Sequence, residues 1–346
     1  AAAGLTQCLT IAPSAAGCLS RQVDLAELRG DAPAKERDTR RMTTVNASSA
    51  AGYFGLAQTL LSEGRPVEAV SEVIKQGWIR ISDADERRRT KLRYEIDLDL
   101  WAGDFAKAEQ QTRELEHASE ASLSEEDHAF VTRRLVEIYS ETGRTAEAGQ
   151  VAVAFLKKRE AWVAYPMAED WAISADPTPT LLEAELRAGI LTQPAFETAR
   201  SAWVTSWKAK ASPFYARFLW VHGYAATAQT AAEGKVALAQ LSELGPIPPF
   251  RPLTQSDAYI GRTFLLGGET EKAVTYLTVA THACRALEFP IDTTRAYYAL
   301  GLALEATGDP AGACAAYAPL LERWGSSKSL TAAKTRARML ALSCKL

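Results

Sequence analysis

The sequence predicts an all-α protein, a solenoid of helical hairpins with a repeat period near 40 residues. Two observations predict it: apolar residues recur at helical spacing, and one glycine–alanine spacing returns at regular intervals along the chain. In each occurrence an alanine stands five residues after a glycine. The six pairs are Gly64/Ala69, Gly103/Ala108, Gly143/Ala148, Gly234/Ala239, Gly268/Ala273 and Gly308/Ala313.

Each part of this spacing has a physical reason. The glycine is expected to end the first helix of a hairpin, because a residue without Cβ adopts the left-handed cap conformation at little cost. The alanine is expected in the second helix, at a crossing too close for a larger side chain. Gly261 and Gly301 stand seven residues before their turn glycines and predict another close helix contact. Stacked hairpins then bury one continuous apolar core.

A further hairpin is expected between Ala148 and Ala239, where the interval is more than twice the repeat. The stretch Thr180–Trp203 supplies it, with Pro194 in place of the glycine. The sequence therefore predicts seven hairpins between residues 48 and 325, closed by a final helix over Leu330–Cys344. Residues 1–47 are assigned to an N-terminal flanking segment, and residues 48–346 to the solenoid with its C-terminal capping helix. Within the flank, Arg29–Ser48 is predicted to be a loop and a helix start.

The units resemble the tetratricopeptide repeat. "YFGLAQTLLSEGRPVEAVSEV" (Tyr53–Val73) and "YYALGLALEATGDPAGACAAY" (Tyr297–Tyr317) match its small and aromatic positions. The period is longer than the 34 residues typical of that repeat, and Ile96 and Val136 replace the small residue of the first helix. The resemblance implies longer helices in a looser superhelix, and a scaffold that binds a protein or peptide partner.

The C-terminal half also resembles the repeat-containing sensor region of myxobacterial eukaryote-like serine/threonine kinases. The stretches that carry this resemblance are "ACRALEFP" (Ala283–Pro290), Gly301–Gly325 and "LTAAKTRARMLALSC" (Leu330–Cys344). The resemblance implies signal transduction, an extracytoplasmic or periplasmic location, and a tether through an upstream membrane span. Because the chain lacks a Gly-rich phosphate loop, an H-R-D loop and a D-F-G motif, we expect a sensor region rather than an enzyme.

The five cysteines have two interpretations. In the cytosol they would be small apolar residues. In an oxidising compartment, which the kinase resemblance favours, Cys8 would pair with Cys18 and Cys314 with Cys344, leaving Cys284 free. Both interpretations stay open at the level of sequence.

Composition and motifs exclude several function classes. A net charge of -3 argues against general nucleic-acid binding, and the sequence has no apolar run long enough to span a bilayer. The four histidines are scattered, and the spacing of His282 and Cys284 places them on different helix faces. We therefore expect no catalytic residues, no metal site and no cofactor.

Two functions remain: a non-catalytic sensor or scaffold that binds a protein or ligand, or the regulatory repeat segment of a cytoplasmic signalling ATPase or transcription regulator. In either case the first helices should line a concave groove, suited to an extended acidic peptide or a C-terminal carboxylate. Arg93 and Arg133 have acidic neighbours four residues later, Asp97 and Glu137, and simple intrahelical pairs are the favoured interpretation for both. The predicted partner-binding residues are Arg262, Arg295, Tyr298, Tyr224, Arg133 and Arg93, with the first three as the principal ones. The proline-containing connectors Val163–Thr180 and Leu244–Thr254 are the alternative binding rims.

Overall fold

The computed structural model describes residues 2–120, 124–159, 172–248 and 255–345, which are predominantly helical and contain no β-strand. Three helices come first: α1 (Ala2–Ile11), α2 (Ala16–Leu28) and α3 (Ala32–Val45). Seven helical hairpins follow, as the sequence predicts. Their helices are α4 (Ala50–Ser62) with α5 (Val67–Trp78), α6 (Ala84–Ala102) with α7 (Phe105–Ser119), α8 (Glu125–Glu141) with α9 (Thr145–Lys158), α11 (Thr178–Arg187) with α12 (Gln193–Lys208), α13 (Phe218–Trp220) with α14 (Ala231–Leu244), α15 (Gln255–Gly267) with α16 (Thr270–Thr281), and α17 (Pro290–Ala306) with α18 (Pro310–Trp324).

Four details complete the list of elements. A short helix, α10 (Ala172–Ala175), precedes the fourth hairpin. A 3-10 helical turn over Tyr215–Arg217 precedes α13, and α13 continues into a π-helical turn over Val221–Ala225. The last helix, α19 (Leu330–Ala341), caps the C-terminal end and stops three residues before the predicted bound. The connectors predicted as binding rims lie partly at residues 160–171 and 249–254, outside the described residues.

The glycine–alanine spacing marks most turns correctly. Positive φ angles, which favour glycine, occur at five of the six glycines, Gly64, Gly103, Gly143, Gly268 and Gly308. The partner alanine is buried in four pairs: Ala108, Ala148, Ala273 and Ala313. The close helix contacts predicted at Gly261 and Gly301 are confirmed, because a Cβ would lie 2.6 Å from Leu277 and 2.1 Å from Tyr317 respectively.

Two pairs and one turn were assigned wrongly. Ala69 is exposed, because Pro66 delays the second helix of that hairpin and Val70 takes the buried position. Gly234 lies inside α14, where it packs against Leu266, and Ala239 is exposed. That helix instead begins at a capping box formed by Thr230 and Glu233, which satisfies orphan backbone donors without a glycine.

The fourth hairpin turns at Gly189, whose φ is +71°. Pro194, which the sequence analysis placed in the turn, lies at the start of α12, where its missing N–H costs nothing. The N-terminal flank is also more ordered than predicted. Arg29–Ser48 contains the whole of α3, which packs with α2 as an additional hairpin and contacts α4. The sequence does not predict α3 because the helix has no apolar periodicity: its buried positions are Lys35, Asp38 and Thr39.

The solenoid closes on itself. The first helix of the seventh hairpin, α17, packs against α6 of the second hairpin, and α18 also reaches α6. The Trp324 indole N–H donates to the Leu100 carbonyl at 3.0 Å, and Trp324 lies against Gly103. Because the seventh hairpin returns to the second, the first helices face an interior that the protein fills with its own side chains.

The segment between α16 and α17, residues 282–289, fills the concave side of the N-terminal hairpins. Ala283, Cys284, Ala286, Leu287 and Phe289 are all buried. Donors from the surrounding helices satisfy its backbone carbonyls: Lys35 Nζ donates to Cys284 at 2.8 Å, and Arg134 Nη2 donates to Glu288 at 2.8 Å. The predicted open groove is thus occupied along this stretch by the chain itself.

Candidate functional site

The predicted partner-binding residues fall into two groups. Arg262, Arg295, Tyr298 and Tyr224 make contacts in the packed interior or between helices of the C-terminal half. Arg93 and Arg133 line a cavity together with residues of the segment before α17. Their role in binding remains a prediction, but the structure shows what each side chain contacts.

Arg262 and Arg295 are held by the fold. Arg262 donates from Nη2 to the carbonyl oxygens of Ala225 (3.3 Å) and Ala226 (2.7 Å), the residues at the end of the π-helical turn. Burial lowers the pKa of Arg262 from its ordinary value. Arg295 has no acidic residue four positions away, yet it pairs with Glu141 of α8, with Nη2 and Oε2 2.6 Å apart. Both guanidinium groups therefore already have partners.

The two tyrosines also make intramolecular contacts. The ring of Tyr224 is largely buried, with the Arg200 guanidinium 4.3 Å above its centroid. The ring of Tyr298 lies 6.0 Å from that of Tyr317 and packs into the cluster around Ala313 and Met339. Tyr317 in turn donates from its hydroxyl to Glu305 at 2.5 Å. These rings contribute to helix packing, as aromatic side chains do in most cores.

We call the cavity that contains Arg93 and Arg133 the arginine pocket. Its volume is about 360 Å³, at the lower end of the roughly 300–1,000 Å³ usual for ligand sites. It lies between α6, α8, the α10–α11 connection and the segment before α17. The lining residues are Arg93, Glu126, Ala129, Phe130, Arg133, Ser174, Ala175, Pro177, Arg285, Glu288 and Phe289.

Arg93 extends from α6 to the first turn of α8. It forms an ion pair with Asp127, and its Nη1 lies 3.6 Å from Glu126 Oε1. The favoured intrahelical pair with Asp97 does not form, because Asp97 binds Arg134 instead. The Arg93 guanidinium lies 5.0 Å from the centroid of the Phe130 ring, close enough for a cation–π contact. Its Nε is buried without a hydrogen-bond partner in the described residues.

Arg133 is held more loosely. Its Nε lies 4.0 Å from Oε1 of Glu137, at the limit of an ion pair, and this nitrogen also lacks a hydrogen-bond acceptor in the described structure. The guanidinium lies 5.5 Å from the centroid of the Phe289 ring. Almost a third of the Arg133 side chain, 31%, remains exposed. A carboxylate entering the pocket could therefore meet this cation without first breaking a short ion pair.

A buried ionic cluster around Arg134 contacts Phe130, one of the residues that line the pocket. Arg134, of which 1% is exposed, pairs from Nη2 with Asp97 (2.7 Å) and from Nη1 with Glu137 (2.7 Å). Burial alone would lower the pKa of Arg134, but the two carboxylates raise it above its ordinary value and keep the group charged. The guanidinium also contacts the Phe130 ring, with its carbon 5.1 Å from the centroid. These contacts hold Phe130, a lining residue of the pocket, against Arg134.

The opposite wall comes from residues that the sequence analysis did not select. Arg285 pairs with Glu288 (2.6 Å) and lies 3.5 Å from Glu27 of α2, while Glu288 also accepts from Gln58 Nε2 at 3.0 Å. Arg285 and Glu288 were missed because the segment that carries them precedes α17 and has no helical periodicity. Pro177 at the rim belongs to one of the proline-containing connectors, so the two predicted binding regions meet here.

Two larger cavities have weaker claims as binding sites. One of about 530 Å³ lies among α7, α8 and α9, where Arg113 pairs with Glu116 at 2.6 Å. The other, about 720 Å³, lies at the helix turns near Gly103 and Ser326, where Arg144 is paired with Glu109. In both, these arginines already have close carboxylate partners. The arginine pocket differs because Arg133 has none at short range.

Chemically, the arginine pocket combines three guanidinium groups with two aromatic rings and two carboxylates. Such a surface suits recognition of a carboxylate flanked by apolar groups, since arginine offers paired donors and the rings cover apolar surface. Across the described ranges, no cluster of three or more histidine, cysteine or acidic residues has the arrangement of a metal site. No helix in the same ranges is both long and apolar enough to cross a membrane.

The fold and the pocket define an all-α solenoid of helical hairpins with a basic, aromatic cavity between α6, α8 and the segment before α17. No protein-family model matches the sequence, and no curated protein matches it. Among solved structures, the chain is similar to the structure of Naa15/Naa10 bound to HypK-THB, at 13% identity and a TM-score of 0.33. That alignment covers 97% of this chain, which spans only 52% of the other. It is also similar to the crystal structure of the P58(IPK) TPR domain, at 12% identity and a TM-score of 0.26, covering 98% of this chain and 91% of that one.

Proposed function

We propose that this protein is a non-catalytic binding module that holds an acidic segment of a protein partner in the arginine pocket. The observation that carries the proposal is Arg133, a half-buried cation beside an aromatic ring whose nearest carboxylate is 4.0 Å away. The partner's carboxylate would complete the coordination of Arg133, while apolar parts of the partner would cover Phe130 and Phe289. The proposed binding site is therefore the arginine pocket rather than the whole length of the concave surface.

We further propose that the module is the extracytoplasmic sensor or scaffold part of a signalling kinase. Two disulfide bonds in the structure, Cys8–Cys18 and Cys314–Cys344, support an oxidising compartment, because such bonds rarely persist in the cytosol. The alternative is a regulatory repeat segment of a cytoplasmic ATPase or transcription regulator. Free thiols at these four cysteines in protein from its native host would favour that alternative.

The test of binding uses a fluorescein-labelled peptide of six glutamates with an amidated C-terminus, followed by fluorescence anisotropy. We expect saturable binding by the wild-type protein and none of the corresponding glutamine peptide. Arg133→Met keeps the apolar stem against Phe289 but removes the charge, and should weaken binding at least ten-fold, since one charged contact contributes about 1.5–3 kcal/mol. Arg93→Met should weaken it as well.

The matched control is Arg88→Met, on the same helix as Arg93. Arg88 is an exposed cation paired with Glu114 at 3.0 Å and does not line the pocket. It removes the same net charge, so equal weakening by Arg88→Met and Arg133→Met would show non-specific electrostatic attraction and contradict the proposal. Arg295 is unsuitable as a test residue, because its removal would leave the buried Glu141 without its cation.

A further inference from the structure

We propose that Glu126 is a built-in competitor that occupies Arg93, the second cation of the arginine pocket that a partner's carboxylate can reach, until the partner binds. The inference rests on the proposed function, since it concerns how the arginine pocket receives its ligand. Glu126 stands in the first turn of α8 and lines the pocket, with its Oε1 3.6 Å from Nη1 of Arg93. It is the carboxylate of this wall that can leave the pocket at least cost.

The two acidic neighbours of Arg93 differ in how firmly they are held. Asp127 makes the closer pair, and only 14% of its side chain is exposed. Glu126 is farther away, and 60% of its side chain is exposed. Asp127 therefore positions the guanidinium, while Glu126 covers one of its terminal nitrogens and can rotate into solvent. Exposed ion pairs of this kind contribute little to stability, about 0–1 kcal/mol.

The other carboxylate of the pocket has a different role. Glu288 accepts hydrogen bonds from Gln58 and Arg285 at 3.0 and 2.6 Å, and the carbonyl of the same residue accepts from Arg134. It is fixed on the wall opposite α8 and cannot leave without breaking several contacts. Of the two lining carboxylates, Glu126 is thus the one that an incoming carboxylate would displace from Arg93.

Exchange of one carboxylate for another has a consequence for specificity. A ligand with a single carboxylate binds Arg133 without displacing Glu126, so it gains nothing at Arg93. A ligand that places one carboxylate on Arg133 and another on Arg93 must exchange the second for Glu126, so its gain at Arg93 is small. Glu126 therefore limits how strongly the pocket favours segments with two or more closely spaced carboxylates over singly charged ones.

The experiment measures binding of the six-glutamate peptide, and of a peptide with one glutamate among five glycines, to wild type and to Glu126→Gln. Removing the competitor should tighten binding of the six-glutamate peptide up to about five-fold, the range that an exposed ion pair can supply, and leave the affinity of the single-glutamate peptide nearly unchanged. The ratio of the two affinities should therefore widen in the variant.

The control is Glu147→Gln. Glu147 is also half exposed, at 52%, and its carboxylate lies 3.6 Å from Arg144, the same distance as in the Glu126–Arg93 pair. It changes the net charge equally but lies outside the arginine pocket. Equal effects of the two variants, or no effect of Glu126→Gln on binding of the six-glutamate peptide, would overturn the competitor role and leave the proposed function standing. Absence of wild-type binding to the six-glutamate peptide would instead overturn the proposed function.

Discussion

Arg295 of α17 and Glu141 at the end of α8 form an ion pair across the closed solenoid, with Nη2 and Oε2 2.6 Å apart. Glu141 also accepts hydrogen bonds from the Thr331 backbone N–H at 2.8 Å and from the Ser329 hydroxyl. One carboxylate thus joins the third hairpin to the seventh and to the start of α19. Burial alone would raise the pKa of Glu141, but Arg295 and these donors lower it below the ordinary value.

We expect Glu141→Ala to destabilise the protein by about 3–5 kcal/mol, because it removes a buried carboxylate that pairs with the half-buried Arg295 and accepts from Ser329 and Thr331. The measurement is urea unfolding followed by circular dichroism at pH 7. Glu147→Ala, which breaks an exposed pair, should cost less than about 1 kcal/mol. Since the pKa of Glu141 is lowered on folding, its contribution is present above the ordinary carboxyl pKa and is lost as the pH falls through the folded value. A Glu141→Ala variant as stable as Glu147→Ala would contradict the role of this pair in closure.

His222 predicts a second pH dependence. It lies in the π-helical turn, 6% exposed, and burial lowers its pKa to about 4. In the unfolded chain the His222 side chain takes up a proton near pH 6.5, whereas in the folded protein it stays neutral down to about pH 4. The free energy of unfolding is therefore highest above pH 6.5 and decreases as the pH falls towards 4. Between pH 7 and pH 4.5 this group should cost about 2 kcal/mol. His222→Leu should lose that part of the acid sensitivity, as measured by urea unfolding at both pH values. An unchanged difference between the two pH values would show that His222 does not titrate in this way.

The turns of this fold could be predicted because their physical cause is local. A left-handed backbone at Gly103 or Gly308 favours a residue without Cβ, so a glycine recurs at these turns in the sequence. The turn before α14 was missed because a different device, the Thr230–Glu233 capping box, performs the same task. Spacing alone cannot tell which of the two a given turn uses.

Closure and the arginine pocket could not be predicted, because they depend on contacts between distant parts of the chain. Arg134 donates to the carbonyl of Glu288, which lies in a segment without helical periodicity. Arg133 and Arg93 could be selected by their register on the first helices, but Arg285 and Phe289 carry no such register. The same limit applies to Arg295, because its partner Glu141 lies on another helix and not four residues away in sequence.

The close packing of the last hairpin gives a third prediction. Ala313 is fully buried in a cluster with Tyr317 and Met339, so Ala313→Leu forces extra volume into a filled space. We expect it to destabilise the protein by about 1–3 kcal/mol. Ala69→Leu is the matched control, because the repeat spacing treats the two alanines alike whereas the structure exposes Ala69. Its effect should stay within about 0.5 kcal/mol. The measurement is the melting temperature of each variant. An equal decrease in the two would mean that the second helix of the first hairpin is placed wrongly.

The two disulfide bonds should differ in what they stabilise. Cys314 and Cys344 are 30 residues apart in the sequence, and their bond ties the residues after α19 to α18. Removing it with Cys344→Ser should cost about 3–4 kcal/mol, since the cross-link restricts the unfolded chain. Cys8–Cys18 ties α1 to α2, and α1 contains no buried residue among those described. Cys8→Ser should therefore release α1 without a comparable fall in the global midpoint.

Thiol counting on denatured, unreduced protein tests whether these bonds form at all. Because Cys284 is the free cysteine, we expect one reactive thiol per chain, and none before denaturation since that side chain is buried. Limited proteolysis then separates the two bridges: in Cys8→Ser a protease should cleave within residues 2–15 first, whereas in Cys344→Ser it should first remove residues after Leu330. Cys284→Ser is the control: the denatured variant should have no reactive thiol, and its pattern of proteolytic cleavage should be the same as that of wild type. Five thiols in the wild-type count would exclude both bonds and with them the main support for an oxidising compartment.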